Sequence, residues 1–197
     1  MKRDLNKKIT TLKSIALFNL CTEEEINRLA KSAEIRRYKE QSIIAKEGHL
    51  AQFLYIVCDG DCRSLMKVKN DNNTIEASGR RARRKLLVEI QELGEGMTFG
   101  ETVLFDDPPT KDINGRRKYL PRLKYPGSLV SNAYAEIMVI PRRVFDTNSK
   151  NRKISEHAIE LIRSTAAQTK LLYAKPVIEH KLQQDNIWRR KRSKVLL

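Results

Sequence analysis

The stretch Met97–Phe105, MTFGETVLF, runs from a short apolar segment through a glycine to a carboxylate at the head of a helical turn. A glycine lets the backbone come close to a ligand. The first turn of a helix presents free N–H groups and a partial positive charge, which together suit a small anion. Glu101 does not fit a bare phosphate. A carboxylate accepts hydrogen bonds, so it suits a hydroxyl; it also fits a plain role as an acidic residue favoured by the helix dipole.

The sequence on either side changes texture twice. Near the N-terminus, Leu12, Ile15, Ala16 and Phe18 fall at helical spacing, and CTEEEINRLAKSA follows with Thr22 as N-cap and Glu25 three residues on, a capping box, ahead of the apolar stripe Ile26, Leu29, Ala30, Ala33. From about Glu34 short strands take over. EIRRYKE and SIIAKEG are two of them, and QFLYIVCDGDCRSLMKV is a strand, a turn at Asp59-Gly60 and a return strand. LLVEIQELGEG alternates, with Leu86, Val88 and Ile90 expected inward and Glu89 and Gln91 outward, and GSLVSNAYAEIMVIP supplies the last two strands. After Pro141 helical texture returns, first in RRVFDT, then along Ile154, Ala158, Leu161, Ile162 and Ala166, with a break at Lys175-Pro176. Many short strands with Gly and Asp turns exclude a βαβ fold. The expected fold is α+β: an antiparallel β-roll, a jelly-roll-like double-stranded β-helix, flanked by N- and C-terminal helices. Residues 1–33 form the N-terminal helices, 34–141 the roll, 142–175 the C-terminal helices, and 176–197 a basic last helix or tail.

The chain has 197 residues and a formal net charge of +15. The charge gathers in GRRARRK (79–85), NGRRKYLPRLK (114–124) and WRRKRSK (188–194), which read as solvated loops and a chain end rather than a nucleic-acid surface. The last run also has the composition of a nuclear address or a membrane-surface patch, and Ser155 in RKIS follows basic residues as a kinase substrate would. Cys21, Cys58 and Cys62 lack framework spacing and are expected as reduced thiols, while His49, His157 and His180 stand at no ligand spacing, so no metal is expected. No apolar run reaches the roughly 20 residues of a membrane span. Nor is there a nucleophile–base pattern or triphosphate loop, so no enzyme activity is expected. A cytoplasmic setting, with nuclear or flagellar variants, fits this composition.

The ordered series LF…EEEINRLA, IIAKEG, LYIVCDGDC, GMTFGETVLF and AEIMVIPRRVF resembles the cyclic nucleotide-binding domain, over about Leu12 to Leu172. As a single domain, the chain is similar to the family's stand-alone eukaryotic, sperm-type receptors, through SLVSNAYAEIMVIPRRVF and the tail KLQQDNIWRRKRSK. The resemblance implies a phosphate-binding cassette, here residues 97–128. Within it Phe99 packs, Gly100 admits the sugar, Glu101 accepts from the ribose 2′-OH, and Thr102 is a further ligand-binding residue. It further implies that a residue of the C-terminal helix closes over the purine; Leu171, Leu172 and Tyr173 are the lid candidates, with packing on the roll as the alternative. Ser128 stands near the position where a hydroxyl accompanies cGMP preference.

One family feature is displaced. The cassette arginine that pairs with the cyclic phosphate should follow the glutamate by about nine residues, which lands on Thr110; counted back about sixteen residues from Pro141, it lands on Tyr125. The fifteen-residue gap between these positions measures a basic insertion, TKDINGRRKYLPRLK. Either an inserted cation replaces the arginine, with Arg122 and Lys124 nearest the rejoining point, or phosphate binding is lost. A charge-assisted hydrogen bond contributes roughly 1.5–3 kcal/mol, so its loss weakens binding on the order of 10- to 150-fold. The resemblance thus implies a sensor that takes cAMP, or less readily cGMP, needs no cofactor and signals to an unidentified effector protein by helix closure. The alternative is a degenerate fold kept as a protein-interaction module. With only Lys175–Leu197 beyond the long helix, a winged helix-turn-helix of the bacterial cyclic-AMP receptor type does not fit.

Overall fold

The structure is a computed structural model that describes residues 2–69, 85–101, 110–111, 117–118, 123–145, 154–155, 157–160, 162–164, 167 and 179. Helix α1 (Lys2–Ser14) leads through a 3-10 turn at Ala16–Phe18 to α2 (Glu23–Ser32). The capping box at α2 is complete: Glu25 N–H donates to Thr22 Oγ1 at 3.3 Å, and Thr22 N–H donates to Glu25 Oε2 at 2.8 Å. Leu12, Phe18, Ile26, Leu29 and Ala30 are buried, so the two helices meet through the stripe that the sequence marks.

Strands β1 (Glu34–Tyr38), β2 (Ile43–Ala45), β3 (Phe53–Asp59), β4 (Cys62–Lys69), β5 (Lys85–Leu93) and β6 (Thr98–Phe99) precede the insertion; β7 (Thr110–Lys111) and β8 (Arg117–Lys118) pair within it; β9 (Ser128–Ser131) and β10 (Ala135–Pro141) follow. The main strands form two four-stranded antiparallel sheets, in the orders β1-β10-β3-β6 and β2-β9-β4-β5. Leu54, Ile56, Leu93, Leu129, Ile137 and Met138 are fully buried in one core that the sheets make with the N-terminal helices. The β3–β4 turn depends on Gly60, at φ +81°, where a Cβ would stand 2.2 Å from the Tyr134 carbonyl oxygen. The α+β roll is therefore as expected, and all three cysteines are free thiols.

One patterning expectation fails. Leu86 is 50% exposed, although the alternation placed it inward. It stands opposite the buried Val68 near the open start of β5, the edge strand of its sheet, so its place at the end of an edge strand exposes it; a β-bulge that adds Ile90 to β5 shifts the β4–β5 register further along. Leu93, at the other end of the strand, is fully buried.

Beyond Pro141 a 3-10 turn covers Arg142–Val144, where the sequence suggested a short helix, and the described helical residues resume at His157. Ile154, Ala158, Ile159 and Ile162 are buried in the common core. Glu25 fastens this helix to α2: Ser155 N–H donates to its Oε1 at 2.7 Å. Among the described residues no helix is long and apolar enough to cross a membrane, and no group of His, Cys, Asp or Glu could hold a metal ion.

Candidate functional site

The candidate site starts where β6 ends. Phe99 is buried and pairs across to Tyr55 of β3. Gly100 follows at φ +90°, a conformation that L side chains rarely adopt. A Cβ there would meet the Phe53 carbonyl oxygen at 2.9 Å and Tyr125 Cε1 at 3.0 Å. The glycine thus has a packing requirement of its own, on the side facing β3 and Tyr125.

Glu101 comes next, 7% exposed. The Thr98 hydroxyl donates to its Oε1 at 2.6 Å. Burial pushes its carboxyl above the usual range, and hydrogen bonds from Thr98 and from the backbone N–H groups of Gly100 and Glu101 oppose that rise. The residue is a buried acceptor set on a tight turn beside an all-but-closed strand end, the kind of group that accepts from a hydroxyl.

Tyr125 fills the place that the downstream count assigns to the arginine. Its backbone enters the site by pairing with the segment after β2: Tyr125 N–H donates to the His49 carbonyl and Gly48 N–H to the Tyr125 carbonyl, both at 3.0 Å. Leu50 and Lys124 form an isolated antiparallel bridge beside them. The phenol is buried and donates to the Phe53 carbonyl at 2.9 Å, while accepting from Phe53 N–H at 2.9 Å and Gln52 N–H at 3.2 Å. Its ring stacks on Phe99 with centroids 5.7 Å apart and lies 5.9 Å from Tyr55. Burial raises the phenol's pKa above the ordinary value, so it remains a neutral donor.

Phe99, Gly100 and Glu101 therefore come together, with Tyr125 as a partner that the sequence marks only as a missing arginine. Ser128 heads β9 three residues later, and its Oγ accepts from Glu47 N–H at 3.0 Å. Lys124 is exposed, next to Tyr125 in the chain. Thr102, Arg122, Leu171, Leu172 and Tyr173 lie outside the described residues. The signal that could have pointed to Tyr125 is aromatic company: Phe53, Tyr55 and Phe99 occur on β3 and β6, and a buried phenol needs hydrogen-bond partners of the kind an irregular strand start provides.

The architecture around this turn is shared with solved structures. The regulatory domain of Toxoplasma gondii PKA crystallised with cAMP superimposes with a TM-score of 0.59 at 14% identity, over 85% of this chain and 51% of that one. The regulatory subunit of a cAMP-independent protein kinase A from Trypanosoma cruzi bound to guanosine gives 0.56 at 16%, over 90% and 51%. The fold is that of the cyclic nucleotide-binding domain. In sequence, the chain is 27% identical over 112 residues to the cGMP-dependent protein kinase of Plasmodium berghei, and 30% identical over 109 residues to lysophospholipase NTE1 of Yarrowia lipolytica. These matches take in 56% and 53% of the chain but only 11% and 7% of the two relatives. No family model matches the chain. This chain thus has a Phe-Gly-Glu turn after β6 and a hydrogen-bonded tyrosine at the position that the count from Pro141 gives for the arginine implied by the resemblance.

Proposed function

We propose that the chain is a non-enzymatic regulatory module that takes a nucleotide-type ligand by its ribose and reports it through the helix after the roll. The observation that carries this reading is Glu101: a buried carboxylate kept, against the cost of burial, at the turn after Gly100. A ribose 2′-OH supplies the donor that such an acceptor suits. Cyclic nucleotides are the expected ligands, with cAMP ahead of cGMP because the Ser128 hydroxyl already serves Glu47 N–H and is less open to a guanine amino group. Lys124 and Arg122 are the proposed cations for the phosphate, Phe99 and Thr102 frame the turn, and Leu171, Leu172 and Tyr173 are the proposed lid. Closure of the helix that Glu25 holds would then change the surface presented to an effector protein.

Tyr125 favours a second reading, in which the ligand is an uncharged nucleoside. A neutral phenol already engaged with three backbone groups offers a phosphate no compensating charge. The Trypanosoma cruzi structure, with guanosine bound to a regulatory subunit of the same fold, gives this reading a precedent. Calorimetric titration of cAMP, cGMP, adenosine and guanosine into the full chain, beside Glu101→Ala, separates the cases. Cyclic-nucleotide binding that Glu101→Ala abolishes supports the first reading, and nucleosides binding more tightly than their cyclic phosphates support the second. No heat from any of the four at about millimolar concentration excludes both and leaves a protein-interaction module.

A further inference from the structure

A concave surface whose lining does not include Glu101 lies where α2 ends against the roll. It is a cavity of about 390 Å³ between the end of α2, the start of β3 and the 3-10 turn after β10. Arg36, Arg142 and Arg143 line it against a single carboxylate, Glu34. Glu34 is committed to Arg36, accepting from Nε at 3.1 Å and Nη2 at 2.7 Å. The Arg36 guanidinium stands over the Phe53 ring, 5.4 Å from its centroid, and Phe53, Val139 and Pro141 supply the apolar part of the lining. The cavity therefore combines excess positive charge with an apolar seat of side-chain size.

We propose that this cavity is a docking site for an acidic peptide segment of a partner protein, one that carries an aliphatic or aromatic residue between carboxylates. The apolar residue seats on Phe53 and Pro141. The flanking carboxylates meet the guanidiniums, whose planar forks match carboxylate geometry. A nucleic acid fits less well, because its phosphates call for an extended basic stripe rather than a pocket with a partly apolar lining. The site also touches the cassette through shared backbone. Gln52 and Phe53 line the cavity, their N–H groups donate to the Tyr125 hydroxyl, and Arg142 N–H donates to the Gln52 carbonyl at 2.7 Å. Occupation of one site is thereby felt at the backbone of the other.

The test uses the full chain and a fluorescent peptide with one Phe flanked on each side by two Glu, read by anisotropy. A matched pair of variants controls for the overall charge of +15. Arg36→Glu with Arg143→Glu changes the cavity; Lys39→Glu with Lys67→Glu makes the same charge change at exposed positions elsewhere on the roll. The cavity pair is expected to weaken peptide binding about tenfold or more and the control pair less than about twofold. Arg143→Glu alone, at an exposed side chain, should weaken it about threefold and guards against a folding defect in the double variant. Absence of peptide binding, an equal loss in both pairs, or tighter binding of a single-stranded DNA of equal charge that the cavity pair alone abolishes would each overturn the proposal.

Discussion

At the scale of single residues, Glu101 and Tyr125 define the site, and they make opposite demands. Glu101 costs the fold stability at neutral pH, since burial raises its pKa above the ordinary carboxylate value. A raised carboxyl binds more protons folded than unfolded. Its contribution to stability is therefore greatest below the ordinary value and is lost as pH rises through the folded pKa. Glu101→Gln, which removes the charge and keeps an acceptor, should accordingly raise the melting temperature at pH 7, about 2–4 °C for each kcal/mol recovered, while weakening ligand binding. A scan in which the variant melts lower than the parent would show that the buried charge is compensated. Tyr125 works the other way. Tyr125→Phe strands the N–H groups of Gln52 and Phe53 and should cost about 1–3 kcal/mol in urea unfolding; an unchanged midpoint would mean that the hydroxyl has little part in holding β3.

At the scale of elements, what could be read from sequence was what local pattern encodes. The Thr22–Glu25 capping box, the Asp59-Gly60 turn and the two closing strands each carry their signal within a few residues, and each is present. The turn at Phe99, Gly100 and Glu101 was legible for the same reason, because the three are contiguous; its role as a cassette is the proposal. Contacts between distant segments were not legible. Tyr125 is fixed by Gly48, His49, Gln52 and Phe53, more than seventy residues away, so the sequence shows there only the lack of an arginine. Leu86 looked inward by alternation, yet its place near the end of an edge strand leaves it exposed. Glu25 is the clearest case: its role in the capping box is local, but its bond to Ser155 N–H spans 130 residues. Burial pushes this carboxyl up, and the hydrogen bonds from Thr22 and Ser155 more than reverse that, leaving its pKa below the ordinary value. A lowered carboxyl stabilises the fold above its unfolded pKa and ceases to do so as pH falls through the folded one. Protection of Ala158 and Ile159 against hydrogen exchange, taken relative to the intrinsic rate at each pH, should therefore fall as the pH drops below the ordinary carboxylate value of 4.5, and Glu25→Gln should flatten that dependence. An exchange profile that is the same in parent and variant would remove Glu25 as the clamp between the helices.

At the scale of the whole molecule, two sheets and the helices packed on them make one core, and the helix after the roll joins it through Ile154, Ala158, Ile159 and Ile162. Gln52 and Phe53 line the arginine-rich cavity and also donate to the Tyr125 hydroxyl, so the proposed ligand binding and the proposed partner docking would share a backbone through which each could bias the other. The chain carries a net charge of +15, which favours acidic partners and makes such associations salt-dependent. All of this rests on whether the Phe-Gly-Glu turn still grips a ribose. The most direct measurement is calorimetric titration of the unaltered chain with cAMP and with 2′-deoxy-cAMP, repeated with adenosine and 2′-deoxyadenosine. If Glu101 accepts from the 2′-OH, each deoxy ligand should bind about tenfold or more weakly than its parent, the loss of a hydrogen bond to a charged group. Equal affinities within either bound pair, or no binding by any of the four, would contradict the ribose-sensing role.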